Sequence, residues 1–315
     1  MRHLKWITGL MKEYKWSYVL VLLFLILEGI SYLGIIGLQK WIIDDVFVGN
    51  QYGILMPIIL LFAAIFLCYS VFFTITPYTF FKNVTRLNYK LCHILMTYLQ
   101  QMPIKNLQNE RTAKYVHYFT NDAANAARMI GFDLPRIVQQ LIMIIVLMTV
   151  IGFASLHMLI FMTILCSSYV FIGTYFSNKL RIISKEVQEK KSDMLIHLEE
   201  GISSTREVIS YHRGDWESAR YHQLFSRFFK KVMHEGKLVN KQIFSTEPIK
   251  WGAALLVLGY GGYELMRGNM TLGMFVIVYQ YSFLMMETVY HIFQLSMTVA
   301  SHTAYLDRIK EVIDG

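Results

Sequence analysis

A chain of 315 residues that is 55% hydrophobic and only 17% charged, with a mean hydropathy of +0.39, is too apolar to close a water-soluble domain, whose surface needs far more charge. The net charge of +8 would suit a nucleic-acid binder, but the basic residues are spread along two segments and interleaved with Glu186, Glu189, Glu199 and Glu200, so they read as topology signals and contacts with anionic lipid headgroups. Cys68, Cys92 and Cys166 are odd in number, which argues against a disulfide framework.

Taken in order, residues 1–16 place Leu4, Trp6, Ile7, Leu10 and Met11 among Arg2, Lys5, Lys12 and Lys15, the pattern of an amphipathic helix lying in a membrane interface. They lack the small-residue cleavage site of a signal peptide. Six apolar stretches follow, at 17–41, 54–81, 137–153, 158–178, 252–266 and 272–300. About 20 such residues cross a hydrocarbon core of ~30 Å, so the stretches predict six spans; the third and fifth are short but border segments that lengthen them. Of the 30 Lys and Arg residues, 28 lie in 1–16, 82–136, 179–250 and 301–315, and only Lys40 and Arg267 in the alternate connections. Basic residues near spans stay in the cytoplasm, so both termini and two long loops are expected inside a cell membrane.

The two inner segments, 82–136 and 179–250, carry helical patterns. From Asn178 to Ile209 there is no Pro and one Gly, and apolar residues recur at Leu180, Ile183, Val187, Met194, Leu198, Ile202 and Ile209. The fourth span is therefore expected to continue into the cytoplasm, to break at His212-Arg213-Gly214-Asp215, and to return as a helix from Trp216 to Gln242. The first inner segment predicts a helix to about Gln101, a break at Pro103, a short element near Ala113–Asn125, and a return helix. Outward connections are short by contrast, at 42–53, 154–157 and 267–271.

Local sequence agrees with one family. Lys40-Trp-Ile-Ile-Asp44-Asp45, Gln101-Met-Pro103 through Tyr115-Val-His-Tyr-Phe-Thr-Asn-Asp122, and Leu198 through Ile209 followed by Gly214-Asp215-Trp-Glu217 resemble, in order, pieces of the transmembrane domain of ATP-binding cassette (ABC) exporters. Arg267-Gly268-Asn-Met-Thr271-Leu272-Gly273 and Ala304-Tyr-Leu-Asp307-Arg308-Ile309 continue the match, while Ala113 stands where that family usually has Gly. The resemblance implies an all-α membrane protein of the type I exporter, or type IV, half-transporter fold: six transmembrane helices with long cytoplasmic extensions, occupying 1–315 as one domain.

Family membership of that kind implies an ATPase elsewhere. No Gly-x-x-x-x-Gly-Lys-[Ser/Thr] run occurs, and Gly236-Lys237 is followed by Leu238, so this chain alone is expected to be no enzyme and to carry no cofactor. The resemblance implies a nucleotide-binding domain holding Mg-ATP, on a partner subunit or on a longer form of the polypeptide, together with a second transmembrane domain in a homo- or heterodimer within a bacterial plasma membrane. It also implies two coupling helices that press on the ATPase, one offering Lys114, Tyr115, Asn121 and Asp122 and the other Tyr211, Gly214, Asp215 and Trp216. Aromatic side chains dominate desolvated interface pockets, which singles out Tyr211 and Trp216 as anchors.

A transport path needs polar residues on one face of apolar helices. On the sixth stretch Gln280, Glu287, His291, Gln294, Thr298 and Ser301 recur at helical steps, and on the first Glu28, Tyr32 and Gln39 do. Charge inside a bilayer is costly, so such residues point to a cavity or a partner. An acidic, aromatic path favours amphipathic cargo, a peptide or a hydrophobic drug, with lipid as the alternative. Glu287 and His291, one turn apart, also fit a proton relay in a secondary carrier, although such carriers rarely project long helical hairpins. A channel filter has no room in 267–271. No paired His or Cys spacing suggests a metal.

Overall fold

Where the sequence runs on without an interruption it folds as one long helix. The computed structural model describes residues 14–102 and 112–314, and all regular structure among these is helical. The elements are α1 (Lys15–Trp41), α2 (Leu55–Gln101), α3 (Thr112–His117), α4 (Ala123–Arg128), α5 (Leu134–Ala154), α6 (Leu156–Ser203), α7 (Thr205–Ser210), α8 (Gly214–Met266) and α9 (Leu272–Asp314). The expected interfacial helix lies mostly outside the described residues, as does the break at Pro103. Among the described helices, five are long and apolar enough to cross a membrane; α8, which contains the expected fifth span, is not one of them. Its apolar part is short and diluted by Gly252, Gly259, Gly261 and Gly262, yet the helix itself runs 53 residues without a break.

The helices run far beyond the apolar stretches. α2 has 47 residues and α6 has 48, so at ~1.5 Å per residue each reaches about 70 Å, more than twice the hydrocarbon thickness. One expectation fails. The short element at 113–125 and the return helix are a single helical run from Thr112 to Ala154, carried through by π-helical turns at Tyr118–Asp122 and Met129–Asp133. The second of these sits directly before Leu134-Pro135, where a missing backbone donor would otherwise interrupt the ladder.

The chain divides into two units, 1–162 with 254–315, and 163–253. In the first, α1 packs along α2, α5 and α9, and α9 along α4 and α5. One core cluster lies mostly outside the apolar spans: Leu87, Leu91 and Leu95 of α2 meet Ala123, Ala126 and Ala127, Met129, Ile130, Leu306 and Ile309. Leucines four residues apart form one stripe of α2, and the alanines opposite leave room for it. Within the spans, by contrast, much apolar surface is open, as a lipid-facing helix requires. In the second unit the two arms pair through Lys231 Nζ on Glu186 Oε2 at 2.7 Å and Ser184 on Glu235. Lys231 holds the Glu186 carboxyl below its usual range, but an exposed pair adds little stability.

Candidate transport pathway and coupling surfaces

Three hydrogen-bonded contacts run along the seam between α1 and α9. Tyr281 donates its hydroxyl to the Leu33 carbonyl at 2.8 Å, and Gln280 Nε2 donates to Gln39 Oε1 at 2.6 Å. Beyond the end of α1, Asp44 accepts the backbone N–H of Gly273 at 2.7 Å and the hydroxyl of Thr271 at 2.5 Å. Glycines make the approach possible. A Cβ on Gly37 would stand 3.2 Å from the Tyr281 hydroxyl, and one on Gly273 would stand 2.7 Å from the Lys40 carbonyl oxygen and 2.8 Å from the Asp44 carboxylate.

The polar residues read from the sequence fall at different places around this seam. Gln39 and Gln280 meet. Tyr32 turns to α2, its ring 5.7 Å from Tyr69, which is in turn 5.7 Å from Phe73, and Glu28 is half-buried one turn before Tyr32 on the same helix. On α9, Glu287 and Thr298 are half-buried, Thr298 returning its hydroxyl to the Gln294 carbonyl, while His291 and Gln294 are exposed. The stripe thus borders the buried face of α9, which is made by Ile277, Val278, Tyr281, Met285, Met286 and Val289. Gln139 of α5 was missed: buried in a span, it donates to the Leu25 carbonyl at 3.2 Å. The Gln139-Gln140 pair at the start of an apolar run was the available signal.

At the first inner segment the structure turns the expected surface inward. Tyr115 and Tyr118 are buried with their rings edge to face at 6.1 Å, and Asp122 is 0% exposed. Asp122 receives Arg308 Nε at 2.8 Å and Nη2 at 2.9 Å. Its carboxylate and the Tyr115 ring are therefore not surface groups here; the neighbours Val116, His117 and Thr120 are. Asn121 is half-buried and bonds to Asn125, and the Lys114 side chain lies outside the described residues. A second acid, Asp133, lies 3.3 Å from His302 Nδ1 without hydrogen-bond alignment; burial pushes its carboxyl up, against the opposing pull of His302 and Arg128.

The second inner segment does present its residues. Tyr211 is 76% and Trp216 56% exposed, and Gly214 and Asp215 are exposed beside them. α7 ends when Arg213 N–H bonds to the Val208 carbonyl, with His212 in the left-handed region at φ 51°. α8 then starts at Gly214 with Asp215 and Glu217 in its first turn, where acids suit the helix dipole. Glu217 also reaches His197 at 3.1 Å, passing over Gly201, where a Cβ would stand 2.7 Å from its carboxylate. Ser204, Glu207, Val208, Tyr211, Arg213 and Trp216 line a shallow groove at this tip. Among the described residues no group of three His, Cys, Asp or Glu is arranged to hold a metal.

Comparison with known proteins agrees with this architecture. The family model for the ABC transporter transmembrane region matches residues 18–289. A protein of Bacillus subtilis named putative multidrug export ATP-binding/permease protein YgaD is 22% identical over 88% of this chain and 49% of its own length. An ATP-dependent lipid A-core flippase of Haemophilus ducreyi is 23% identical over 86% of this chain and 47% of its own length. The uncharacterized ABC transporter ATP-binding protein YfiC of Bacillus subtilis is 23% identical over 99% and 52%. The chain spans about half the length of the curated relatives it matches.

Proposed function

The chain belongs to the ABC transporter transmembrane region family, and on that premise we propose that it is the membrane-spanning part of an ATP-driven exporter that moves amphipathic cargo out of the cytoplasm by alternating access. What supports this reading beyond the family is the set of polar and aromatic side chains on otherwise apolar helices, Glu28, Tyr32 and Gln39 on α1 with Gln280 and Glu287 on α9, of which Gln39 and Gln280 meet. Tyr32, Tyr69 and Phe73 offer ring faces next to the helix that carries Glu28, a surface suited to flat or cationic amphipaths such as a hydrophobic drug or peptide. ATP is bound as Mg-ATP by a nucleotide-binding domain, in a second polypeptide or further along a longer one, and a second transmembrane domain completes the path.

Coupling runs through the exposed tip at Tyr211–Trp216, whose aromatic side chains seat in the ATPase. Asp122 acts from inside, by holding α9 through Arg308. A lipid cargo is the second reading, supported by the flippase among the relatives and by the open apolar surface of the spans.

The test is transport by the complete transporter in sealed vesicles, with a fluorescent amphipathic cation and with a labelled lipid as alternative cargoes. ATP-dependent accumulation of the first, and a lower ratio of transport to ATP hydrolysis in Trp216→Ala and Tyr211→Ala, are expected. Movement driven by a proton gradient without ATP would instead assign Glu287 and His291 to a relay. Translocation of the lipid alone would move the conclusion to the flippase reading.

A further inference from the structure

We propose that Asp133 and His302 form a proton-binding site through which cytoplasmic pH controls the hold of α9 on the π-helical turn Met129–Asp133. The placement of this site on the inner side, and of the path on α9, rests on the exporter reading. The two side chains lie 3.3 Å apart on elements far separated in the chain, Asp133 4% and His302 16% exposed. Neither Asp133 Oδ2 nor His302 Nδ1 has a hydrogen-bond partner, so an acid and a base face each other across a contact that one proton completes, whichever of them carries it. Without that proton a carboxylate held away from water keeps its charge and loses its counter-charge. His302 reaches the surface far enough to exchange the proton with water, and histidine is the side chain whose charge changes near neutral pH.

The surrounding elements supply no substitute for the proton. On the same helical run Arg128 and Arg136 lay their guanidiniums 5.8 and 5.3 Å from the Phe132 ring, and Arg128 acts on Asp133 only from a distance. α2 meets the turn through Phe80 and Val84, and α1 packs Val21 and Leu25 beside Phe132, all without charge. α9 adds the Tyr305 ring, 5.6 Å from His302, and its Arg308 is taken by Asp122. Asp122 gives the contrast: it too has a histidine beside it, His117 at 3.4 Å, but it carries an arginine whose charge no physiological pH removes. Gly131 is pressed onto Val84, and Leu306 and Ile309 are seated in the apolar core, so the part of α9 that the proton holds is the stretch preceding Leu306. That stretch carries Glu287, His291, Gln294 and Thr298, residues assigned to the path. Burial pushes the Asp133 carboxyl up, so the closed contact binds the proton more tightly than the same groups parted into water; it is stable at low pH and weakens as pH rises.

The experiment uses the complete transporter with Cys68, Cys92 and Cys166 replaced and one spin-labelled chain per complex, carrying Val138→Cys on α5 and Ala300→Cys on α9, both at exposed positions. Distances between the two labels are measured by electron–electron resonance, without ATP or cargo, at about pH 6 and about pH 8.5, on either side of the ordinary histidine range. One short distance at the lower pH and a second, longer one at the higher are expected, with the ratio of long to short rising by up to about tenfold per pH unit for a single proton. Asp133→Asn is uncharged at every pH and His302→Lys is charged throughout this range, so both are expected to keep the short distance and remove the response. Distances that ignore pH in the unmodified protein overturn the proposal, as does an unaltered pH response in either variant; the two substitutions have opposite chemistry, so misfolding of one leaves the other to decide. In sealed vesicles with the inner side outward, Asp133→Asn is also expected to flatten the pH profile of ATP-driven transport. Absence of such transport by the unmodified protein would count against the exporter reading instead, since the distances need no turnover.

Discussion

Arg308 places Nε and Nη2 on the two carboxylate oxygens of Asp122, at 2.8 and 2.9 Å, and so ties the C-terminal end of α9 to the π-helical turn at Tyr118–Asp122. The Tyr305 ring lies 5.0 Å from the guanidinium, and His117 Nδ1 is 3.4 Å from the same carboxylate. The bond to Asp122 holds the guanidinium still more firmly in its charged form. The pair is unequal: Asp122 is 0% exposed and Arg308 44%.

That inequality fixes the order of two substitutions. Arg308→Ala strands a carboxylate away from water, whereas Asp122→Asn leaves a guanidinium that reaches solvent. Arg308→Ala is expected to destabilise the protein by about 2–4 kcal/mol, Asp122→Asn by less, and Asp122→Asn with Arg308→Met by less than Arg308→Ala alone. Thermal unfolding of the detergent-solubilised protein reads all three, and equal losses for the two single variants would contradict the burial argument.

Glycines separate close approach from open space. A Cβ on Gly131 would stand 2.9 Å from Val84 Cγ2 and 3.2 Å from the Val84 backbone, so Gly131→Ala must push the 129–133 turn away from α2 and is expected to lose about 1–3 kcal/mol. Gly236 has nothing within 4 Å of its Cβ position and is exposed inside α8, so Gly236→Ala is expected to gain about 0.5–1 kcal/mol. Melting temperatures moving in opposite directions would bear this out.

Long elements were legible in the sequence because their signals are local and repeated. The run from Asn178 to Ile209 and the return towards the fifth span appear as α6, α7 and α8, with the turn where His212-Arg213-Gly214 placed it. The continuity of α3 through α5 was not legible, since the segment read as a short element to about Asn125 followed by a separate return helix, and π-helical turns at Tyr118–Asp122 and Met129–Asp133 make it one run. Site residues were legible by type and not by partner. Asp122 was singled out for a surface and lies in the core, because nothing local reveals that Arg308, 186 residues on, meets it. Asp44 and Asp45 are indistinguishable in the sequence; the face of the helical extension decides which one reaches α9.

Topology follows from the 28 to 2 division of basic residues and is tested independently of cargo. Single cysteines replacing Asn50 and Asn269 in a cysteine-free background are expected to react with an impermeant thiol reagent in intact cells, and one replacing Gly214 only after permeabilisation. Gly214 and Asn269 lie at the two ends of the α8 region, so they also decide whether this least apolar of the expected spans crosses. Labelling of Gly214→Cys in intact cells would exclude the six-span arrangement with inner termini.

The pathway assignment makes the sharpest demand on α9. Cargo shifts the balance of inward and outward states only through contacts that differ between them, so a lining residue alters transport and cargo-stimulated ATP hydrolysis while basal hydrolysis in the complete transporter stays near its original rate. Glu287→Gln and Gln294→Leu are expected to lower transport by roughly five- to tenfold, a change of about 1–1.4 kcal/mol in cargo binding. Gln294 is exposed in the chain alone, so Gln294→Leu removes no contact that holds the fold and any loss is a loss of function. Ser296 is also exposed, two residues further on and across the helix from the stripe, and Ser296→Ala is the matched control that leaves transport intact. Should both stripe variants and the control behave alike with several cargoes, the polar residues of α9 serve as contacts between helices, and the path lies on another face.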